Sequence, residues 1–488
     1  MPLRAKITNP SFRSSVMSFS TNNTISSTES STGKVPKIPF DENDVHFSIH
    51  NNARYITLNR PQKLNSLNDS MVQKILPRMG EWTRSDSAQF IVIRGNGGRA
   101  LCAGGDVASL ASQNKEFGKA GSQLSSDFFG HEYRLNHFIA TYEKPVISIM
   151  DGITMGGGIG LSVHAPFRIA TETTVCAMPE TLIGFFPDVG TTFFLPRLDG
   201  KLGAYLAMTG HNLKGYDSVS AGFATHYVPS NRLQELQDHL SDLKLDADNT
   251  QDTYAKINSV IDEFATGPPK DHVSFLSIED RILVDRAFAK DTVEDIISEL
   301  VSNGSPFAQA TIETLKQRSP TSLKVTLVAL KQGEQADFAS AINQEYFIAT
   351  NFMHSTEFIE GVSARLLKPT REPNWNPASL AEVTPGIVSS FIQHNPECNP
   401  KGLELIHPER TFTQYPHHMG LPSEVEIEQY VTGEDNTGRD FKVTANEVLE
   451  AFDLKYRSKF GVKQKIQEVL ARKTTPDSTD DTLLDWIR

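Results

Sequence analysis

Three short stretches carry residue types that could act together on an acyl group. Leu101-Cys-Ala-Gly-Gly-Asp106 and Asp151-Gly-Ile-Thr-Met-Gly-Gly-Gly-Ile-Gly160 are rich in glycine, and Ala177-Met-Pro-Glu-Thr181 presents an acid. Val146–Met150 reads as a buried strand feeding the triplet Gly156–Gly158, with a helix opening behind it. The first amides of a helix have no intrahelical acceptor and sit at its positive end. Glycines there let an acyl group come close to the backbone. A lone triplet fits a flexible turn equally well. Gly104-Gly105 also follows a strand, however, so amides from the two loops could meet across a cleft and grip one thioester oxygen. Losing one donor of such a pair typically costs about 2.7–4 kcal/mol of transition-state stabilisation.

Glu180 follows Pro179, which biases Met178 towards extended backbone. Its neighbours Leu182, Ile183, Phe185 and Phe186 are apolar, and Asp188 comes just after Phe186-Pro187. Two carboxylates in an apolar wall can have separated pKa values, one of them suited to base or nucleophile duty. Taken alone they read as a surface Glu and a turn-forming Asp. The nearby glycine loops reverse that preference.

The elements that must position these residues are legible from periodicity. Val45, Phe47 and Ile49 alternate, Asn51-Asn52 turns the chain, and Arg54–Leu58 continues extended. Met71, Ile75, Met79 and Trp82 predict a helix that Pro77 should kink or split. Phe90–Ile93 is a strand leading towards Gly104-Gly105, and Phe128, Phe129, Tyr133 and Phe138 predict another helix. Phe167–Ala170 and Thr174–Ala177 read as two more strands. This alternation predicts an α/β domain to about Val228. Residues 230–366 are mainly helical in pattern, as in Val293–Leu300 and Ser322–Leu330. Prolines between 369 and 385 predict a linker, and Val425–Tyr430 and Glu447–Phe452 predict short amphipathic helices.

The 488 residues allow two or three domains. A net charge of −12 argues against general electrostatic binding of nucleic acid, DNA included. No run of apolar residues is long enough for a membrane span. Cys102, Cys176 and Cys398 have neither metal-ligand nor disulfide spacing, and His417-His418 lacks further ligands, so no metal is expected. His131, His137 and His164 read as packing or surface residues, and Asp151 and Arg168 as structural. In the first forty residues Arg4, Lys6, Arg13, Lys34 and Lys37 face one acid, Glu29, within a Ser-rich stretch. That composition fits a mitochondrial transit peptide, or a disordered cytosolic tail.

Gly152–His164, Met178–Thr181 and Gly184–Gly190 resemble the enoyl-CoA hydratase/isomerase (crotonase) superfamily, and within it the mitochondrial hydrolases of valine breakdown. Asn59–Asn65, Cys102–Asp106, Phe194–Arg197, Gly200–Gly203 and Ser319–Lys324 extend the likeness from about Val45 to Thr384. The resemblance implies a crotonase-like spiral of ββα units, a helical region and a small C-terminal extension. Its boundaries would be 1–40 for the transit peptide, 41–230 for the α/β core, 231–370 for the helical part and 371–488 for linker and extension. It implies an oxyanion hole from Gly105 and Gly157, Glu180 as the catalytic acid or base, and Asp188 and Glu132 as substrate contacts. Lys63, Leu64, Ala103, Gly104 and Asp106 would hold coenzyme A. On sequence alone Glu132 reads rather as a helix-surface ion-pair residue.

The implied reaction is hydrolysis of 3-hydroxyisobutyryl-CoA in the mitochondrial matrix, with coenzyme A part of the substrate and no separate cofactor. Hydratases of the superfamily carry a second glutamate three residues after the middle glycine, where this chain has Gly160, so hydration of an enoyl-CoA is the weaker alternative. Some fungal members of the hydrolase branch are built into the mitochondrial small ribosomal subunit, and a homo-oligomer is also compatible with the family. The residues beyond Pro385 include Thr411–Pro416, Lys455–Lys459 and the basic run Lys463, Lys465, Arg472 and Lys473. They suit either a packed appendage or a ribosomal contact.

Overall fold

The structure, a computed structural model, describes residues 40–245, 249–398, 401–435 and 438–487. Apart from Phe40, the expected transit peptide lies outside the described residues. Among them, no helix is long and apolar enough to cross a membrane.

A hairpin of β1 (Val45–His50) and β2 (Ala53–Leu58) opens the fold. Helix α1 (Asp69–Thr83) follows, capped by the Asn68 side chain accepting from the Met71 amide. α1 runs unbroken through Pro77, so the expected split does not occur. Met71, Ile75, Met79 and Trp82 are all buried, and that packing outweighs the one hydrogen bond proline removes.

The chain then alternates between two sheets. β3 (Phe90–Gly95), β5 (Val146–Met150) and β7 (Phe167–Ala170) join the larger sheet, whose order is β1-β2-β3-β5-β7-β10 with β10 at His226–Tyr227. β4 (Ala100–Cys102), β6 (Ile153–Met155) and β8 (Val175–Ala177) form the smaller sheet, closed by β9 (Leu213–Lys214). β4, β6 and β8 are parallel neighbours, Cys102 beside Thr154 and Met155 beside Ala177. Each turn of the spiral thus gives one strand to each sheet. A separate short strand, β6, leads into the triplet; β5 does not feed it directly.

Helices α2 (Val107–Phe117) and α3 (Lys119–Ala140) fill the long connection after β4, and α4 (Gly157–Gly160) follows β6. From Leu233 to Val362 the regular structure is helical. The side chains of Ser277, Thr292, Ser305, Ser319 and Asp337 each cap a helix there by accepting from the third amide. One of these helices, Phe338–Met353, lies along α3, with the rings of Tyr346 and Tyr133 edge to face at 6.4 Å.

The expected linker holds a single 3-10 turn, Leu380–Glu382, between Lys368 and Thr384, and helix Pro385–Ile392 follows it. The chain then returns to the main core. Phe412 stacks on Phe338 at 5.2 Å, and the Phe338 amide donates to the Phe412 carbonyl. Beyond it, helices Glu424–Thr432, Ala445–Lys455 and Val462–Lys473 enclose a small core of Ile427, Val448, Phe452, Ile466 and Val469.

The last helix was not assigned from periodicity, and its basic residues suited either a packed appendage or a ribosomal contact. Two of them turn inwards. Arg472 is buried and bonds Glu424, Glu468 and Asp285, while Lys465 pairs with Asp199. These charges fasten the extension to the rest of the molecule.

Candidate active site

Because β4, β6 and β8 are parallel neighbours, the segments leaving their C-terminal ends emerge side by side. Those segments hold Gly104-Gly105, Gly156–Gly158 and Glu180. A Cβ placed on Gly157 would lie 3.4 Å from the Gly105 amide nitrogen. A Cβ on Gly156 would lie 2.9 Å from Glu180 Oε1. Gly104 at φ +100° and Gly156 at φ +45° adopt backbone that disfavours any side chain. Among the described residues, neither the Gly105 nor the Gly157 amide donates a hydrogen bond. The two glycine loops and Glu180 thus lie together in space.

Three carboxyl groups close this site. Glu132 on α3, Glu180 on the 3-10 turn Glu180–Ile183, and Asp188 are all buried. Glu132 stands over the triplet, where a Cβ on Gly157 would collide with its Oε1. Glu132 Oε1 and Glu180 Oε2 are buried without a protein partner. Burial, followed by the charge of Asp188, holds both glutamates well above the usual carboxylate range. Burial also pushes Asp188 up, to about 7, although the Tyr133 hydroxyl donates to its Oδ2 at 2.6 Å and favours the anion. Three negative charges cannot coexist in so dry a space, so the cluster retains protons near neutrality.

The segment after Asp188 is held under tension. Val189 has φ +56°, a left-handed conformation costly for a β-branched residue. Glu345, fully buried, accepts from the amides of Gly190 (2.6 Å) and Thr192 (2.8 Å) and from the Thr192 hydroxyl (2.6 Å). His164 Nε2 lies 2.7 Å from the Val189 carbonyl oxygen. A Cβ on Gly160 would fall 2.6 Å from Val189 Cβ and 2.8 Å from Asn136 Nδ2. The position that would carry a hydratase's second glutamate therefore lacks space for any side chain.

The residues expected to hold coenzyme A line one edge of the site. The Ala103 amide donates to the Leu64 carbonyl, and the Leu67 amide to the Gly104 carbonyl, so the two segments run together. A cavity of about 300 Å³ lies beside them, lined by Arg60, Lys63, Leu67, Asp106, Leu110 and Phe128. Lys63 and Asp106 are spent largely on each other, at 2.9 Å, with Arg60 as a third partner at 2.8 Å. Burial opposes ionisation of Asp106, but hydrogen bonds from Lys63, Arg60 and Ser109 outweigh it and bring the acid down to about 2. The half-exposed Lys63 ammonium remains within reach of an anionic ligand at the cavity mouth.

Residue pattern alone put Glu132 on the helix surface and the resemblance put it in the site; it is 1% exposed. Sequence reasoning missed Tyr133 and Asn136 as site residues. Asn136 is fully buried, with neither amide atom paired. A usable signal existed: Phe129, Glu132, Tyr133 and Asn136 share one helix face at spacings of three and four. Glu345 and His164 had no such signal. Of the other histidines, His131 pairs with Asp69 at 2.7 Å and His137 stacks on Phe338. Arg168 donates to three backbone carbonyls and Asp151 accepts from Thr171 and Thr173, both structural as expected.

The enoyl-CoA hydratase/isomerase family profile matches residues 53–392. The small ribosomal subunit protein mS47 of Neurospora crassa is 44% identical over 443 residues, 88% of this chain and 85% of that protein. The mitochondrial 3-hydroxyisobutyryl-CoA hydrolase of Xenopus tropicalis is 43% identical over 341 residues, 70% of this chain and 86% of that one. Among solved structures, a carnitinyl-CoA dehydratase from Mycobacterium thermoresistibile superposes with a TM-score of 0.64 at 37% identity, over 72% of this chain and 97% of its own.

Proposed function

This chain belongs to the enoyl-CoA hydratase/isomerase family and has the crotonase fold, and from that premise we propose that it is a mitochondrial hydrolase releasing 3-hydroxyisobutyrate from its CoA thioester. The observation that carries this reading is the convergence of two unspent amides and three buried acids where position 160 excludes a further acid. Hydration across a double bond calls for acid and base work on both carbons, and the packing at Gly160 removes the place for one of those groups. Thioester hydrolysis needs only a polarised carbonyl and one carboxylate.

In the proposed reaction the thioester oxygen accepts from the Gly105 and Gly157 amides, which stabilise the oxyanion as it forms. Glu180, once ionised, attacks the carbonyl carbon and expels the CoA thiolate, leaving a mixed anhydride that water cleaves. Alternatively it takes a proton from a water that attacks in its place. Asp188, held by Tyr133, orients the substrate hydroxyl or that water. Coenzyme A enters with the substrate, along the cavity beside Lys63, Leu64 and the Ala103–Asp106 segment.

Incubation with 3-hydroxyisobutyryl-CoA is expected to release free thiol, at a rate that rises with pH above the ordinary carboxylate range as the buried Glu180 carboxyl gives up its proton. The sign follows from the chemistry, since either route requires an anion. Consumption of a conjugated enoyl-CoA without thiol release would instead establish the hydratase reading.

A second role is favoured by one observation. An alignment taking in 88% of the chain must run past residue 370 wherever it begins, so the likeness to mS47 reaches into the extension. The chain is accordingly also proposed as a component of the mitochondrial small ribosomal subunit. The intact protein is expected to co-sediment with that subunit from mitochondrial lysate; recovery wholly in the soluble fraction would remove this role.

A further inference from the structure

Tyr415 lies beyond the family match, which ends at residue 392, yet it reaches the site through a single side chain. Its hydroxyl is 2.8 Å from His164 Nδ1, and His164 Nε2 is 2.7 Å from the Val189 carbonyl oxygen. A carbonyl can only accept, so Nε2 carries the imidazole proton and Nδ1 is left to accept from Tyr415. His164 is buried, and burial lowers its pKa to about 4, in keeping with a neutral ring. The chain of donors therefore runs one way, from Tyr415 through His164 to Val189.

The end of that chain is the strained residue next to Asp188. Strain of this kind persists only where the surroundings over-determine it. Glu345 secures the Gly190 and Thr192 amides and Tyr133 secures the Asp188 carboxyl, but the Val189 carbonyl is held by His164. The segment bearing Tyr415 is itself firmly seated. Phe412 and Tyr415 pack against Phe193 and Phe338, and the Arg410 carbonyl lies 3.0 Å from His137 Nε2.

We propose that Tyr415 of the C-terminal extension is a positioning residue for the thioesterase site, fixing the Asp188–Val189 segment through the Nε2–H tautomer of His164. The inference rests on the hydrolase reading for its kinetic consequence, though not for its structural one. Tyr415→Phe keeps the ring and its packing and removes only the donor. The control is His417→Ala, which deletes a ring stacked 4.0 Å from Tyr254 and loosens the same segment without touching the hydrogen-bond chain.

Two measurements on the full-length protein test this. Amide hydrogen exchange over residues 186–192, followed by mass spectrometry, is expected to quicken about fivefold in Tyr415→Phe and to stay at the wild-type rate in His417→Ala, as loss of one hydrogen bond of about 1 kcal/mol would give. The kcat for 3-hydroxyisobutyryl-CoA is expected to fall by a similar factor of about five to ten in Tyr415→Phe, with KM within about twofold. Unchanged exchange in Tyr415→Phe, or equal acceleration in both variants, overturns the proposal. Wild-type protein that releases no thiol would defeat the hydrolase reading, while the exchange rates of the two variants would still show whether Tyr415 holds the Asp188–Val189 segment.

Discussion

Glu180→Gln is expected to lower kcat for thioester hydrolysis by about 10²–10⁴, the range lost when a positioned acid–base group is removed. The substitution is close to isosteric, and Glu180 Oε2 has no protein partner to lose. Gln cannot form the anhydride and cannot take a proton from water, so both proposed routes fail together. Stability should move the other way. Burial, with the charges of Asp188 and Glu132, raises the folded-state pKa of Glu180 above its unfolded value. The folded protein thus binds more protons than the unfolded chain, and stability declines as pH rises above the ordinary carboxylate range towards the raised value. The Gln variant lacks that ionisation, so at pH 8 its melting temperature should equal or exceed that of the wild type. Retained turnover would remove Glu180 from the mechanism. A lower melting temperature at pH 8 would instead show that its charge is stabilising.

What the sequence made legible was local. The glycine loops and Glu180 stand in short strings whose flanking strands follow from alternation, and the parallel order of β4, β6 and β8 then brings them together. The supports of the site are not local. Glu345 reaches Gly190 and Thr192 from a helix far along the chain, and a buried acid satisfied by two backbone amides looks, in sequence, like any helical Glu. Helical periodicity alone could not place Glu132, because it says which face a residue shares, not what covers that face. Its Oε1 stands against Gly157, which the smaller sheet brings in from a distant part of the chain. For Lys465 and Arg472 the sequence left a packed appendage and a ribosomal contact both open. Their partners Asp199 and Asp285 come from distant parts of the chain, and Glu424 from another helix of the extension, so spacing could not pair them.

Gly157→Ala and Gly158→Ala should separate the two uses to which the triplet is put. A methyl on Gly157 meets Glu132 Oε1, the end of a side chain that can swing aside, and otherwise stands 3.4 Å from the Gly105 amide, in the space the thioester oxygen would need. That variant is expected to fold with a melting temperature near the wild type and to lose about 10²–10³ in kcat/KM, comparable to losing one oxyanion donor. A methyl on Gly158 meets the Cys102 carbonyl, a backbone group of β4 that cannot move without disturbing the smaller sheet. Overpacking against fixed structure typically costs about 1–3 kcal/mol, so the second variant should melt several degrees lower. Thermal melts and thiol release measured on the same two preparations test this pairing. Equal loss of stability in both would mean that residue 157 is structural, and would withdraw its amide from the oxyanion hole.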